Sequence, residues 1–300
     1  MCPLRDLEHF HAPTYDHRSI DDFFKSKINP GIHSVSFAHH FLDLLVVDKQ
    51  AKTTIVIFHA ATSREVSIPV FAGRSVTKDV SANLIFLSDP ILQMGANLGW
   101  FAGTADIPLQ NLLPSILEHV LDSLSEHRNL AFFGPSGGGF AALFYSRFFP
   151  SSLSIPMNPQ LNIATYDTAA VNAYLDAGWS GKTLQDSNLV YDLLPLLTES
   201  PNWTIYIHNL GDTSHSKRYL EPLITGTRAR NKVGILLGEW GNGHKPAPVK
   251  IISDIFNETV RANGNWPELL NRLQTDRTST AQNVQLLGQR YKAQIAQGKQ

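Results

Sequence analysis

The chain holds one cysteine, Cys2, in 300 residues, so no internal disulfide can form. It also lacks an excess of either charge. Twenty-five Lys and Arg face 26 Asp and Glu, a net charge of −1, which gives no bulk attraction for nucleic acid or an anionic membrane. No run is long and apolar enough to span a bilayer. The opening Met1-Cys2-Pro3-Leu4-Arg5-Asp6 lacks the basic-then-apolar order of a secretory signal. A cytoplasmic location is therefore expected, although a mature form trimmed ahead of a new Met1 would read the same. The 12 histidines are scattered and show no metal-ligand spacing such as His-Glu-x-x-His, so no metal is expected from them; no organic cofactor is expected either. What remains is an ordinary globular composition, with apolar residues enough for a large core and a length that fits one large α/β domain or two smaller ones.

Residues 1 to about 30 are polar with interspersed aromatics and are expected to form an N-terminal extension. Ser34–Phe37 and Leu42–Val47 have the pattern of an antiparallel hairpin. Thr53–Phe58 and Asn83–Leu87 are continuously apolar rather than alternating, the mark of buried parallel strands, with a short crossover around residues 66–80. Leu109, Leu112, Leu113, Ile116, Leu117, Val120, Leu121 and Leu124 recur at helical spacing over 108–127. Further strands are expected at 129–133, 153–157, 203–208 and 232–237, with a helix near 247–262. Strand alternating with helix predicts an α/β fold with a doubly wound, mostly parallel sheet. The expected divisions are an extension (1–30), one domain (31–265) with a small lid at about 160–200, and a C-terminal surface helix and tail (266–300). In such sheets functional residues gather at the carboxyl ends of strands.

Gly134-Pro135-Ser136-Gly137-Gly138-Gly139 lies between the apolar strand Asn129–Phe133 and the helical run Phe140–Tyr145. Gly-x-Ser-x-Gly in a strand-to-helix setting is the pattern of a nucleophile elbow. A serine held in a strained turn leaves no room for β-carbons two residues before and after it. The turn also aims the Gly137 amide and a helix N-terminus at one point, where negative charge can be held. Three glycines after Ser136 exceed what the elbow requires; tight helix–strand packing and close approach of a ligand would each explain them.

This region resembles the α/β-hydrolase superfamily. The resemblance covers roughly residues 50–250 and implies the chain order nucleophile, acid, histidine. Asp212, just past the strand Trp203–His208, stands where the acid is placed, and His244, on the glycine loop Gly241-Asn242-Gly243 after Lys232–Leu237, stands where the base is placed. Ser136, His244 and Asp212 would then be nucleophile, general base and orienting carboxylate. Asp212 could also merely cap a helix starting near Ser214. His215 is a neighbouring base or a surface residue, and Glu239 is a reserve acid. The oxyanion hole needs two backbone donors: Gly137, and Ala60 (with Ala61 as second choice) in His59-Ala60-Ala61-Thr62, where the superfamily often carries a His-Gly-Gly string.

On the substrate side, Gly99-Trp100-Phe101-Ala102-Gly103-Thr104 follows the strand ending at Leu87. Trp100 and Phe101 are candidate substrate-binding residues, a mobile aromatic wall; the competing reading is that they plug the core. The aromatics of 160–200 either line a pocket or pack the lid. The 99–104 segment, Met157-Asn158-Pro159-Gln160 and Asn209–His215 together are also similar to hydrolase-fold proteins of bacterial surface-polysaccharide biosynthesis and accessory secretion. That likeness implies an acyl ester on a carbohydrate as one candidate substrate. The expected function is hydrolysis of a carboxylic ester through an acyl-serine. The rivals are acyl transfer by the same triad, peptide hydrolysis, and a non-catalytic protein that binds a glycan or partner.

Overall fold

The two apolar runs read as buried strands take the centre of one mixed sheet, every residue of each buried. The computed structural model describes residues 4–63, 65–197, 200, 202–226 and 232–276. Among these, nine strands are found: β1 (Thr14–His17), β2 (Gly31–Phe37), β3 (His40–Val47), β4 (Thr53–Phe58), β5 (Asn83–Ser88), β6 (Asn129–Pro135), β7 (Leu153–Met157), β8 (Trp203–Asn209) and β9 (Val233–Gly238). Their order across the sheet is β1-β2-β3-β5-β4-β6-β7-β8-β9. β3 runs antiparallel to β2 and β5, closing the expected hairpin, and the other pairings are parallel.

The helices are α1 (Ile20–Lys25), α2 (Arg74–Thr77), α3 (Leu109–Ser123), α4 (Gly137–Ser146), α5 (Thr168–Trp179), α6 (Leu194–Leu197), α7 (Thr213–His215), α8 (Glu221–Gly226), α9 (Val249–Ala262) and α10 (Trp266–Asp276). Successive strand side chains point to opposite faces, so the sheet feeds two cores. Val56, Phe58, Phe132 and Tyr206 join Leu113, Ile116, Leu117 and Phe140 of α3 and α4 on one face. Ile55, Ile57, Phe133 and Ile207 join Ile255, Phe256 and Leu269 of α9 and α10 on the other. The result is the doubly wound arrangement that the sequence predicts.

Two expected boundaries shift. Within the expected extension, β1 adds an edge strand parallel to β2, and α1, capped by Ser19, buries Phe23 completely. Arg5 pairs with the buried Asp43 of β3 at 2.6 Å. At the other end, α10 is no surface helix. Its Trp266, Leu269, Leu270 and Leu273 are buried, and the helix packs on β8 and β9. Residues 277–300 of the expected tail lie outside the described residues. The 160–200 segment, placed between β7 and β8, contains α5 and α6.

Leu269 tests whether α10 belongs to the domain. Leu269→Ala should lower the unfolding free energy by about 2–5 kcal/mol, read as a drop in urea midpoint. An unchanged midpoint would make α10 a dispensable appendage.

Candidate active site

β6 ends in a turn whose backbone Ser136 holds at φ 54°, ψ −117°, a strained conformation for a residue with a side chain. The strain is fixed from both sides. The Ser136 amide donates to the Met157 carbonyl at 2.8 Å, and its own carbonyl accepts from Gly139 at 3.0 Å and from Gln160 at 3.3 Å. A β-carbon on Gly134 would lie 2.0 Å from the Gly138 carbonyl oxygen, and one on Gly138 would lie 2.5 Å from that of His59. Strand, turn and helix therefore meet at distances only glycine permits.

The loop after β4 approaches the same point. His59 is buried, and burial, against the opposing pull of the Ala60 carbonyl, lowers its pKa to about 4. The neutral ring donates from Nδ1 to the Ala60 carbonyl at 2.6 Å and accepts at Nε2 from the Asp89 amide at 3.0 Å. Both nitrogens are used, so the loop is pinned to the end of β5. Among the described residues, the amides of Ala60, Ala61 and Gly137 carry no hydrogen bond.

Beyond β8, Asp212 does two things at once. Its Oδ1 accepts from the His215 amide at 3.1 Å, capping α7. Its Oδ2 accepts from His244 Nδ1 at 2.6 Å. Burial opposes ionisation of Asp212, but the His215 amide and the His244 hydrogen bond outweigh it and hold the pKa below the usual carboxylate value. The alternatives of cap and orienting carboxylate thus coexist in geometry. His215 is buried rather than on the surface. It stacks on His244 with ring centroids 4.2 Å apart, and its Nδ1 lies 3.0 Å from Asp212 Oδ2. Glu239 is exposed, and the partner of His244 is Asp212. Asp212, His215 and His244 bring ligand-type atoms within 4.8 Å of one another. Both Nδ1 atoms meet the carboxylate.

The structure brings Asp212 and His244 together but makes no hydrogen bond between His244 and Ser136. Ser136 Oγ instead accepts from Gln160 Nε2 at 3.0 Å, and Gln160 Oε1 accepts from the Trp100 indole. Trp100 and Phe101, read equally as a mobile wall facing substrate or as rings plugging the core, are each 1% exposed. Both adopt positive φ, 54° and 53°. Their polar groups find buried partners: the Phe101 amide donates to Asp89 at 2.8 Å and its carbonyl accepts from Tyr145 at 2.6 Å. Rings this large gain most by leaving water, and here they support the site from beneath. The aromatics of 160–200 named as candidates also pack. Tyr174 donates to the Gly103 carbonyl at 2.7 Å, and Trp179 donates to the Tyr174 hydroxyl at 2.9 Å.

Four side chains that position the site were not singled out from sequence. Asn158 and Asn209, both buried, hold the His244 loop. Asn209 donates to the Gly241 and Gly243 carbonyls, each at 2.9 Å, and accepts from the Trp240 amide at 2.9 Å. Asn158 donates to the Lys245 carbonyl at 2.8 Å and accepts from the Asn209 amide at 2.8 Å. Gln160 and Asp89 are the others. All four stand at the carboxyl ends of β5, β7 or β8, which is the signal that could have found them.

No protein-family model matches the chain, and no curated protein matches it. Solved structures do. The capsule O-acetyltransferase of Neisseria meningitidis serogroup A is 14% identical over 80% of this chain and 99% of its own, with a TM-score of 0.58. The 2,6-dihydroxy-pseudo-oxynicotine hydrolase is 14% identical over 81% of this chain and 72% of its own, TM-score 0.55. Acetyl xylan esterase 1 from Thermoanaerobacterium sp. JW/SL YS485 is 13% identical over 85% and 99%, TM-score 0.50. The chain has the α/β-hydrolase fold. No helix among the described residues is long and apolar enough to cross a membrane.

Asn209→Ala should free the His244 loop, removing four partly buried hydrogen bonds and costing about 1–3 kcal/mol of stability; thermal unfolding and proteolysis at the 239–245 loop would read it, and wild-type protection would contradict it. A second outcome concerns pH. Burial lowers His33, His59, His208 and His215 to about 4 each. Between 6.5 and 4 the unfolded chain therefore binds more protons through these groups, and stability falls as pH falls. Asp89, raised by burial to about 6, works in the opposite direction, one carboxylate against four imidazoles. Urea midpoints at pH 7 and pH 4.5 should show the loss; equal midpoints would refute it.

Proposed function

We propose that the chain is a serine-dependent acyl hydrolase acting on a carboxylic ester. The observation that carries this reading is the 2.6 Å hydrogen bond from His244 to Asp212, at the same sheet edge as a serine in a strained elbow. A serine hydroxyl is a weak nucleophile at neutral pH. In the proposed reaction His244 Nε2 takes the Ser136 proton while Asp212 fixes the ring's tautomer and stabilises the imidazolium. Oγ leaves Gln160 and attacks the acyl carbonyl. The carbonyl oxygen becomes an oxyanion, held by the amides of Gly137 and Ala60, with Ala61 as the alternative donor. His244 returns the proton to the departing alcohol, and water, activated by the same imidazole, releases the acid from Ser136. Trp100 contributes by orienting Gln160, while Phe101 anchors the segment.

A second reading, acyl transfer to an alcohol, is favoured by the burial of Ser136, 6% exposed, since a dry site shields an acyl-enzyme from water. The names of two fold neighbours, an O-acetyltransferase of a capsule and an acetyl xylan esterase, support an acetylated carbohydrate as the substrate class under either reading.

A fluorophosphonate probe should form one adduct, on Ser136, found by mass spectrometry. The adduct should vanish in Ser136→Ala, and labelling should slow by about 10³-fold or more in His244→Ala. Release of acetate from acetylated xylan, with and without an added glycan acceptor, then separates hydrolysis from transfer. A folded protein that takes no probe and cleaves no ester would leave a non-catalytic binding protein as the better reading.

A further inference from the structure

Asp212 is shared by two histidines, and a Ser-His-Asp mechanism uses only one of them. His244 lies on a loop with Gly241 and Gly243 at positive φ, and its side chain is 36% exposed. Such a loop does not fix a ring plane by itself. The face of His244 rests on His215, centroid to centroid 4.2 Å, with 24° between the planes. His215 is held in turn. It is 7% exposed, its amide and Nδ1 both meet Asp212, and Tyr219 packs on it at 5.2 Å. Its Nε2 is buried without a hydrogen-bond partner, which suits the tautomer carrying its proton on Nδ1, since an unpaired N–H would be the costlier orphan.

We infer that His215 is a positioning residue for the reaction: its ring sets the plane of the His244 imidazole, and its Nδ1–H takes a share of the Asp212 carboxylate. The inference rests on the reading of His244 as general base. The two parts act differently. The ring keeps Nε2 of His244 aimed at the elbow. The Nδ1–H, 3.0 Å from Asp212 Oδ2, holds from a second side the oxygen that meets His244 Nδ1. Burial first, then the charge His244 would carry, keeps His215 itself neutral, with a pKa lowered to about 4. The other titratable groups around the pair are Tyr166, His208, Arg218, Tyr219 and Lys245. Tyr166 lies 6.2 Å from the His215 ring, His208 interacts electrostatically with both histidines, Arg218 opposes protonation of His215, and Lys245 follows His244 in the chain.

Two variants separate ring from donor. His215→Phe keeps a stacking ring and loses the N–H. His215→Asn keeps a donor near the Nδ1 position and loses the ring. In the full chain, His215→Asn should lower kcat about tenfold or more with KM little changed. His215→Phe should lose less, since the stacking ring remains. Wild-type kcat in the Asn variant would reduce His215 to a space-filling side chain and overturn the inference. Imidazole ¹H–¹⁵N spectra, taken without substrate, decide the geometry even if the hydrolase reading fails. The His244 Nδ1–H signal should survive in His215→Phe and broaden or vanish in His215→Asn; its persistence in both would sink the positioning role. Absence of a fluorophosphonate adduct on wild-type Ser136 would instead count against the hydrolase reading alone.

Discussion

The backbone of Ser136 is the constraint on which the rest of the site depends. A positive φ at a serine is unfavourable, and it persists because neighbouring structure over-determines it. Here β6, the first turn of α4 and the loop after β4 pass so close that Gly134 and Gly138 have no space for a β-carbon. Gly137, the first residue of α4, has an amide with no intrahelical partner, and the same close passage brings the His59–Ala60 loop alongside. A looser crossing would relax the serine and separate the two donors from it.

Around that point the protein solves a desolvation problem. Burying polar groups is costly unless each finds a partner, and the site is built from side chains that partner backbone. Asn158 and Asn209 take up the carbonyls and amides of the His244 loop. His59 and Asp89 do the same where the Ala60 loop meets the 99–104 segment. These are rigid ties between irregular segments that no regular secondary structure could satisfy. They explain why the loops at the carboxyl ends of β4, β5, β7, β8 and β9 hold one arrangement. The two-histidine grip on Asp212 follows the same logic: a buried carboxylate collects every donor within reach.

Much of this was legible in order along the chain. Apolar continuity marked β4 and β5 as central, and three- and four-residue spacing marked α3. Gly-x-Ser-x-Gly marked the elbow because its glycines answer to local sterics. What failed depended on partners distant in sequence. Trp100 and Phe101, beside glycines, read as well as a substrate wall as a core plug; Asp89, Tyr145 and Gln160 decide for burial. The segment 14–25 reads as a polar extension because an edge strand and a six-residue helix carry little periodicity. Trp266, Leu269, Leu270 and Leu273 looked like part of a surface helix, and only the uncovered flank of β8 and β9 shows why they are buried.

By itself, then, the sequence determined the fold class and the position of the strained serine, because those rest on periodicity and on steric rules that operate within a few residues; the order Ser136, Asp212, His244 is what the resemblance to the α/β-hydrolase superfamily implies. Only the tertiary structure decided which hydroxyl, amide and imidazole meet. It gave Ser136 Oγ to Gln160, Asp212 to both His244 and His215, and the His244 loop to two asparagines. Apart from the local Asp212–His215 cap, each of these contacts joins the ends of different strands, and its energy is set by burial and by hydrogen-bond geometry, which exist only once the sheet has assembled.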